Sequence, residues 1–292
     1  GFSSLIKPLG DLPRGFLLCV GERIQFSLSF TFEHMEYIRI KNDTQVWEIV
    51  LARPEKRNAM NSTMVRELQS VLDRASESVE CRAVIIKAEG SAYSAGADLN
   101  SLQQLQNNSY AKNLADSKQL AELFKTLYAH PKLIVTQVNG PALAGGCGLA
   151  TIADYCFATS NAKFGYTEAR IGFIPAIVMV FLIRQLGEKI AREWMLSAEI
   201  FSAEEALSKG LIFKIVDEAN MDLAVREFVE KLIHQNSGQS IEGIKRLMSG
   251  LQGLTLDQAI DIAVESNAKA RETEDCKKGI KAFLNKEKPQ WQ

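Results

Sequence analysis

From Tyr37 the chain alternates apolar and polar residues at period two, first through Tyr37-Ile38-Arg39-Ile40-Lys41 and then through Val46-Trp47-Glu48-Ile49-Val50. That period turns one face of an extended segment toward a core, and the polar break Asn42-Asp43-Thr44 between the two runs predicts a hairpin. The period then lengthens. Met64, Leu68, Val71 and Leu72 fall on one face of a helix predicted from Ser62, read as its cap, to about residue 78. Residues 82–88 form an apolar run ending at Gly90, 133–138 another ended by Asn139-Gly140, and 155–159 a third. Apolar runs this short suit strands covered on both faces. Between the first two, residues 111–129 read as a long helix stopped by Pro131.

Strand and helix alternating in this way predict an α/β fold. Beyond about Ile177 the pattern turns helical, through 188–198, 221–234, 241–251, 255–270 and 274–285, with one strand-like interruption at 211–216. Three regions follow: an extension over 1–34 outside the core, an α/β core over 35–195, and a helical C-terminal region over 196–292. The extension begins at Gly1, and its apolar stretch 16–20 is short and followed by Glu22 and Arg23, unlike a secretory signal. Met35 is expected to begin the folded body.

Composition narrows the function. With 292 residues, 46% hydrophobic and 24% charged, the chain can bury a full core. A net charge of -1 leaves no electrostatic footprint for nucleic acid or an acidic membrane. The longest apolar run, 174–183, contains Pro175 and is about half the length of a membrane span. Neither nucleic acid nor membrane is an expected partner. Cys19, Cys81, Cys147, Cys156 and Cys276 lack paired spacing, which reads as reduced thiols in a cytoplasmic setting. His34, His130 and His234 stand apart and no CxxC occurs, so no metal is expected.

Candidate chemistry concentrates in three segments. Ser94-Ala95-Gly96-Ala97-Asp98 is either a tight turn with Asp98 capping a helix from Leu99, or a place where a ligand approaches the backbone. Asn139 to Ala150, glycine-rich, runs from a strand into a helix and presents main-chain N–H groups suited to an anionic oxygen. A dinucleotide fingerprint is a near miss there: Gly146-Cys147-Gly148 precedes Glu168 by the right distance, but Thr151 holds the third small position. In the third segment, Phe164 to Pro175, Glu168 sits among apolar and small residues, where desolvation would suit it to proton transfer. It could equally be a surface or capping glutamate paired with Arg170.

Together, in this order and spacing, the three segments resemble the crotonase (enoyl-CoA hydratase/isomerase) superfamily, with support from Ala52-Arg53-Pro54-Glu55-Lys56-Arg57-Asn58-Ala59-Met60-Asn61, Ala153-Asp154 and 196–211. The resemblance covers the chain from about Tyr37 onward. It implies a spiral of ββα repeats with a helical C-terminal trimerisation region, trimers that pair into hexamers, and an acyl-CoA thioester as substrate. No separate cofactor is implied, since coenzyme A arrives as part of the substrate. By the same resemblance the N–H groups of Ala95 and Gly145 form an oxyanion hole, and Glu168 is the catalytic acid/base. Lys56, Asn58 and Ala59 line the coenzyme A path, with Gly96, Ala97, Asp98, Gly146 and Gly148 around the substrate. Phe283 and Lys286 match positions that approach the coenzyme A nucleotide of a neighbouring subunit.

One departure carries most of the information. Two-glutamate hydratases of this family hold a second glutamate where this chain has Gly148. A one-glutamate hydratase, closest in pattern to methylglutaconyl-CoA hydratases through Thr167-Glu168 and 171–177, is the favoured reading. A double-bond isomerase and a decarboxylase are the alternatives, and a non-catalytic RNA-binding relative is a remote one. The cluster Lys277, Lys278, Lys281, Lys286 and Lys288 is either a solvated helix face or a phosphate clamp for coenzyme A. Restoring the acid, Gly148→Glu, is expected to raise hydration of linear enoyl-CoA if the scaffold is that of a hydratase.

Overall fold

The structure, a computed structural model, describes residues 31–43 and 45–291. The expectations for 1–30, including the 16–20 stretch and Cys19, and Thr44 of the hairpin turn lie outside the described residues. In chain order the first elements are β1 (Thr31–His34), β2 (Ile38–Asn42), β3 (Val46–Leu51), α1 (Ser62–Glu77), β4 (Ala83–Ala88), α2 (Leu99–Leu105), α3 (Tyr110–Ala129) and β5 (Leu133–Val138). Then come β6 (Ala142–Leu143), α4 (Gly145–Thr151), β7 (Tyr155–Ala158), β8 (Lys163–Gly165), α5 (Ala176–Ser197), β9 (Phe201–Ser202), α6 (Ala203–Ser208) and β10 (Lys214–Ile215). Four helices end the chain: α7 (Met221–Gln235), α8 (Gly238–Gly250), α9 (Leu256–Glu272) and α10 (Glu274–Leu284).

Seven strands make the main sheet in the order β1-β2-β3-β4-β5-β7-β10, antiparallel through β3 and parallel from there on. Its central strands are buried on both faces, as their unbroken apolar runs require. Ile49, Val84, Ile86, Ile134 and Val138 join one core cluster with Met64, Leu68, Val71 and Leu72 of α1. Val46, Ala83, Ile85, Leu133 and Val135 meet Met221, Val225, Val229 and Ile233 of α7 on the other face. The spacing of four along α7 places those side chains in one row. A second sheet of β6, β8 and β9 carries the glycine-rich segment beside the main sheet.

Three expectations need correction. The folded body includes residues before Met35, because β1 pairs with β2 through the register Thr31↔Asn42 to His34↔Arg39 and Glu33 forms an ion pair with Arg74 of α1. Residue 195 is not a break between regions either, since β9, β10 and α7 lie beyond it and pack into both sheets and the core. The partner-poor part begins at α8: α8 and α9 bury no residue, and α10 buries only Ala282. The cap of α1 is Asn61, whose side chain accepts from the Met64 N–H at 2.9 Å, one residue before Ser62. The helix expected over 188–198 is the second half of α5, which bends at Gly187 (φ 79°, ψ 165°). No helix among the described residues is long and apolar enough to cross a membrane.

Candidate active site

The chain leaving β3 turns through Pro54–Lys56 and reverses at Arg57 and Asn58, both at φ 50°. Asn58 is fully buried and secures this turn. Its side-chain oxygen accepts from the Arg53 N–H at 2.8 Å, and its amide donates to the carbonyls of Glu89 and Ala92 at 2.8 and 2.9 Å. The turn then zips onto the segment after β4. The Ala95 N–H donates to the Arg57 carbonyl at 2.9 Å, the Met60 N–H to the Gly96 carbonyl at 2.7 Å, and the Asp98 N–H to the Met60 carbonyl at 3.0 Å.

This zipper decides which amides can serve a ligand. Ala95 cannot be an oxyanion donor, as the resemblance implied, because its N–H is already bonded. Ala97 is different. With its neighbours on both sides tied to Met60, its own N–H faces the opposite way. On that side runs the glycine-rich segment, held parallel by Ser94 N–H to Pro141 carbonyl at 3.2 Å and Leu143 N–H to Ser94 carbonyl at 2.9 Å. The contact there is close: a Cβ placed on Gly96 would stand 3.3 Å from the Gly145 nitrogen and 2.8 Å from the Ala144 Cβ. Ala144 adopts φ 53°, ψ −131°, a costly conformation for a residue with a Cβ, and it starts α4 abruptly at Gly145. Among the described residues the N–H of Ala97 and that of Gly145 have no acceptor. Gly146 has to be glycine, since a Cβ there would meet the Ser94 carbonyl oxygen at 2.4 Å.

Glu168 begins the short turn Glu168–Ile171 that follows β8 and ends at Gly172, φ 74°. Only 9% of it is exposed, and its Oε2 is buried without a hydrogen-bond partner. Burial raises its pKa above the ordinary carboxylate value, with only its own backbone hydrogen bond acting the other way. The exposed Arg170 forms no ion pair with it, so the surface reading fails. Glu168 lies three residues beyond Gly165, whose carbonyl accepts from the N–H of Ala144 at 2.7 Å, so the turn that carries Glu168 leaves the strand paired with the entry to α4. Burial, above all, pushes the Cys147 thiol up to about 12, which removes it as a nucleophile.

The position that departs from the two-glutamate pattern is closed. A Cβ on Gly148 would stand 2.3 Å from Val178 Cγ1 and 3.0 Å from Phe124 Cε1. The crevice that Gly148, Phe124, Tyr166 and Val178 bound has no space for a water molecule.

The remaining sequence-derived residues divide. Asp98 is buried, pairs with Arg53 at 2.7 Å, and caps α2 by accepting from the Asn100 and Ser101 N–H groups, so its carboxylate is fully engaged. Burial works to raise its pKa, but those hydrogen bonds and the Arg53 charge outweigh it and hold the value low. Ala59 is buried and Lys56 exposed beside the turn. Phe283, in the last turn of α10, and Lys286, just beyond its end, are both exposed, and neither has a hydrogen bond or ion pair to the residues of the Glu168 turn. Sequence reasoning assigned no role to Arg53, Val178 or Phe124. Arg53 did leave a trace, as a charged residue inside the apolar stretch Leu51-Ala52-Arg53-Pro54. Among the described residues no group of three or more His, Cys, Asp or Glu could hold a metal ion.

Known proteins resemble this chain in sequence and in fold. The profile of the family described as enoyl-CoA hydratase/isomerase matches residues 41–292. A Thermus thermophilus protein with a provisional enoyl-CoA hydratase name is 36% identical over 243 residues, which are 83% of this chain and 96% of that protein. Mouse enoyl-CoA hydratase domain-containing protein 3, mitochondrial, is 30% identical over 83% of this chain and 80% of its own length. Among solved structures, an enoyl-CoA hydratase from Shewanella pealeana superposes with a TM-score of 0.82 at 34% identity, covering 87% of this chain and 96% of that one.

Proposed function

Because the chain belongs to the enoyl-CoA hydratase/isomerase family, we propose that it adds water across the α,β double bond of an enoyl-CoA thioester, with Glu168 as its single proton carrier. The observation that carries the reading is the buried, unpartnered Oε2 of Glu168 beside the helix whose first residue offers an unbonded amide. In this mechanism the thioester carbonyl accepts from the Ala97 and Gly145 N–H groups. Water attacks the β-carbon and gives its proton to Glu168, while the π electrons of the double bond move toward the carbonyl as an enolate. Glu168 then returns that proton to the α-carbon, and the net change is one water added. Preorganised donors are worth most on such a charge, about 2.7–4 kcal/mol each where one has been removed. No cofactor enters this scheme beyond the coenzyme A that the substrate carries.

A branched acyl group of the methylglutaconyl kind is the finer reading. Exposed Ile171, Phe173 and Ile174 beside Glu168 supply apolar surface for the branch. Isomerisation is the second reading, favoured by the waterless crevice at Gly148: Glu168 would take a proton from one carbon and return it to another. Incubating the purified protein with linear and branched enoyl-CoA thioesters, and identifying products by mass, tests both. Hydration should add the mass of one water, isomerisation should leave mass unchanged, and no turnover of any thioester sinks the proposal.

We also assign the chain to a homotrimer or a hexamer made of two trimers. Ile244, Leu256, Ile260 and Phe283 are 58%, 77%, 53% and 80% exposed on the last three helices, an apolar surface that a second copy would cover. In such an assembly Phe283 and Lys286 could reach a neighbour's coenzyme A. Light scattering should return three or six chain masses, and a stable monomer at micromolar concentration would refute the assignment. Cys81, Cys147, Cys156 and Cys276 are unpaired, which supports a reducing, cytoplasmic setting.

A further inference from the structure

The unbonded amide of Ala97 stands next to Asp98, which a single buried arginine ties to the opposite side of the zipper. Arg53 Nη1 donates to Asp98 Oδ2 at 2.7 Å and to the Ala59 carbonyl at 3.0 Å, so one nitrogen grips both sides of the zipper that isolates Ala97. Its guanidinium packs over the Tyr37 ring, 4.9 Å from the centroid. Only 10% of the Arg53 side chain and 6% of the Asp98 side chain are exposed. The other Asp98 oxygen accepts from the Asn100 and Ser101 N–H groups at 2.8 and 3.3 Å, which fixes the start of α2 to the same point. An ion pair so enclosed is a costly way to hold two loops, since apolar packing of similar volume is often as stable. What the pair adds is direction: the two coplanar N–H bonds of Nη1, fixed in the plane of the guanidinium, set the angle between the segments they join.

We propose that Arg53 and Asp98 are positioning residues that aim the Ala97 N–H at the same point as the Gly145 N–H. Neither touches the substrate. The proposal rests on the oxyanion role given above to these two amides. The peptide plane that carries the Ala97 N–H also carries the Gly96 carbonyl, which accepts from the Met60 N–H at 2.7 Å, and the next plane donates its Asp98 N–H to the Met60 carbonyl at 3.0 Å, so the amide points wherever the Met60 segment holds it. Arg53 anchors both sides of that paired unit, at the Ala59 carbonyl next to Met60 and at Asp98, so releasing the Asp98 side chain lets the unit shift relative to Gly145, and displacement of a catalytic group by about 1 Å can cost 10²-fold.

Asp98→Asn keeps the helix cap, because asparagine caps as well as aspartate, and removes the charge that Arg53 grips. Arg53→Lys keeps a cation and loses the planar direction of the two N–H bonds. Two readouts decide: kcat and KM with the best thioester of the panel, and the carbonyl stretch of carbonyl-labelled butyryl-CoA, a saturated thioester that cannot react. In the wild type that stretch should move to lower frequency on binding. Asp98→Asn should lose part of the shift and roughly ten- to hundredfold in kcat, with KM little changed, and Arg53→Lys should fall between. Should one variant fail to fold, the other supplies the same comparison. If the variants keep the wild-type frequency and kcat, whatever happens to their melting temperatures, the pair is merely structural and the proposal is overturned. A wild type that shifts the carbonyl but turns over no enoyl-CoA overturns the reaction and leaves the positioning role standing, provided the variants lose the shift. A wild type with no carbonyl shift overturns the oxyanion role and the positioning role with it.

Discussion

Glu168→Gln should lower kcat by about 10²–10⁴-fold, the range expected when a positioned acid/base is removed, while acyl-CoA binding persists. Glutamine matches glutamate in size, and the amide donors at Ala97 and Gly145 are main-chain groups that the change does not touch. Only proton transfer is lost. The same variant should melt higher than the wild type at neutral pH, and this is the less obvious half of the prediction. Burial raises the Glu168 pKa, so the folded state disfavours its ionised form relative to the unfolded chain. A raised pKa contributes stability below the unfolded value and loses it as pH climbs through the folded value. Glutamine stays neutral throughout. The melting difference should therefore vanish in acid, where both side chains are uncharged, and grow as pH rises through the titration. Calorimetry at several pH values beside steady-state kinetics checks both halves. A variant that is slower but no more stable at neutral pH would mean that the carboxylate has a stabilising partner.

The acid limb of the wild-type profile follows from the same shift. Glu168 must be ionised to accept a proton from water, so kcat/KM should decline with acid at a pH above the usual carboxylate range.

Periodicity was enough for the elements whose signal is local. The β2–β3 hairpin, the strands β4, β5 and β7, and the helices α3 and α7 lie where spacing puts them, because each buries side chains at its own period. What the sequence could not show was which member of a repeated pattern does the work. Ala95 and Ala97 are the same residue on either side of Gly96, and only the hydrogen bonds to Arg57 and Met60, nearly forty residues earlier in the chain, leave the second amide free. Asn61 and Ser62 are both good caps, and the choice between them depends on where the first turn closes. The break expected at 195 failed for a similar reason: β10 is two residues long, too short for a period, yet it completes the parallel sheet. Gly148 was legible as a departure, but its meaning lay in Val178, thirty residues on and in a different helix.

That neighbour reverses the expectation for Gly148→Glu. On sequence grounds the new acid should raise hydration of linear enoyl-CoA; the packing says that it will not fit. Its Cβ alone would sit 2.3 Å from Val178 Cγ1, a distance real carbon atoms do not keep, and the rest of the side chain would follow into a crevice too small for water. Overpacking of this kind costs about 1–3 kcal/mol, and an unpaired buried charge adds several more. Against a typical total of about 5–15 kcal/mol, the sum is a large share of the stability of the fold. The expected result is low soluble yield or a sharply reduced melting temperature, and no gain in hydration. Val178→Ala would not be relief enough, because Val178 Cβ itself would remain 3.0 Å from the new atom. Val178→Gly removes both Val178 contacts and leaves only the 3.0 Å approach to Phe124 Cε1, the outer edge of a ring that can shift, so at up to about 1 kcal/mol of helix propensity the double variant should recover part of the folded protein lost in Gly148→Glu alone. Only in that double variant could a second carboxylate reach the substrate. Soluble yield, melting temperature and hydration of a linear enoyl-CoA across the four proteins separate the cases. A Gly148→Glu protein that melts with the wild type would mean that α5 yields easily, and the closed wall would then be no barrier to a second acid.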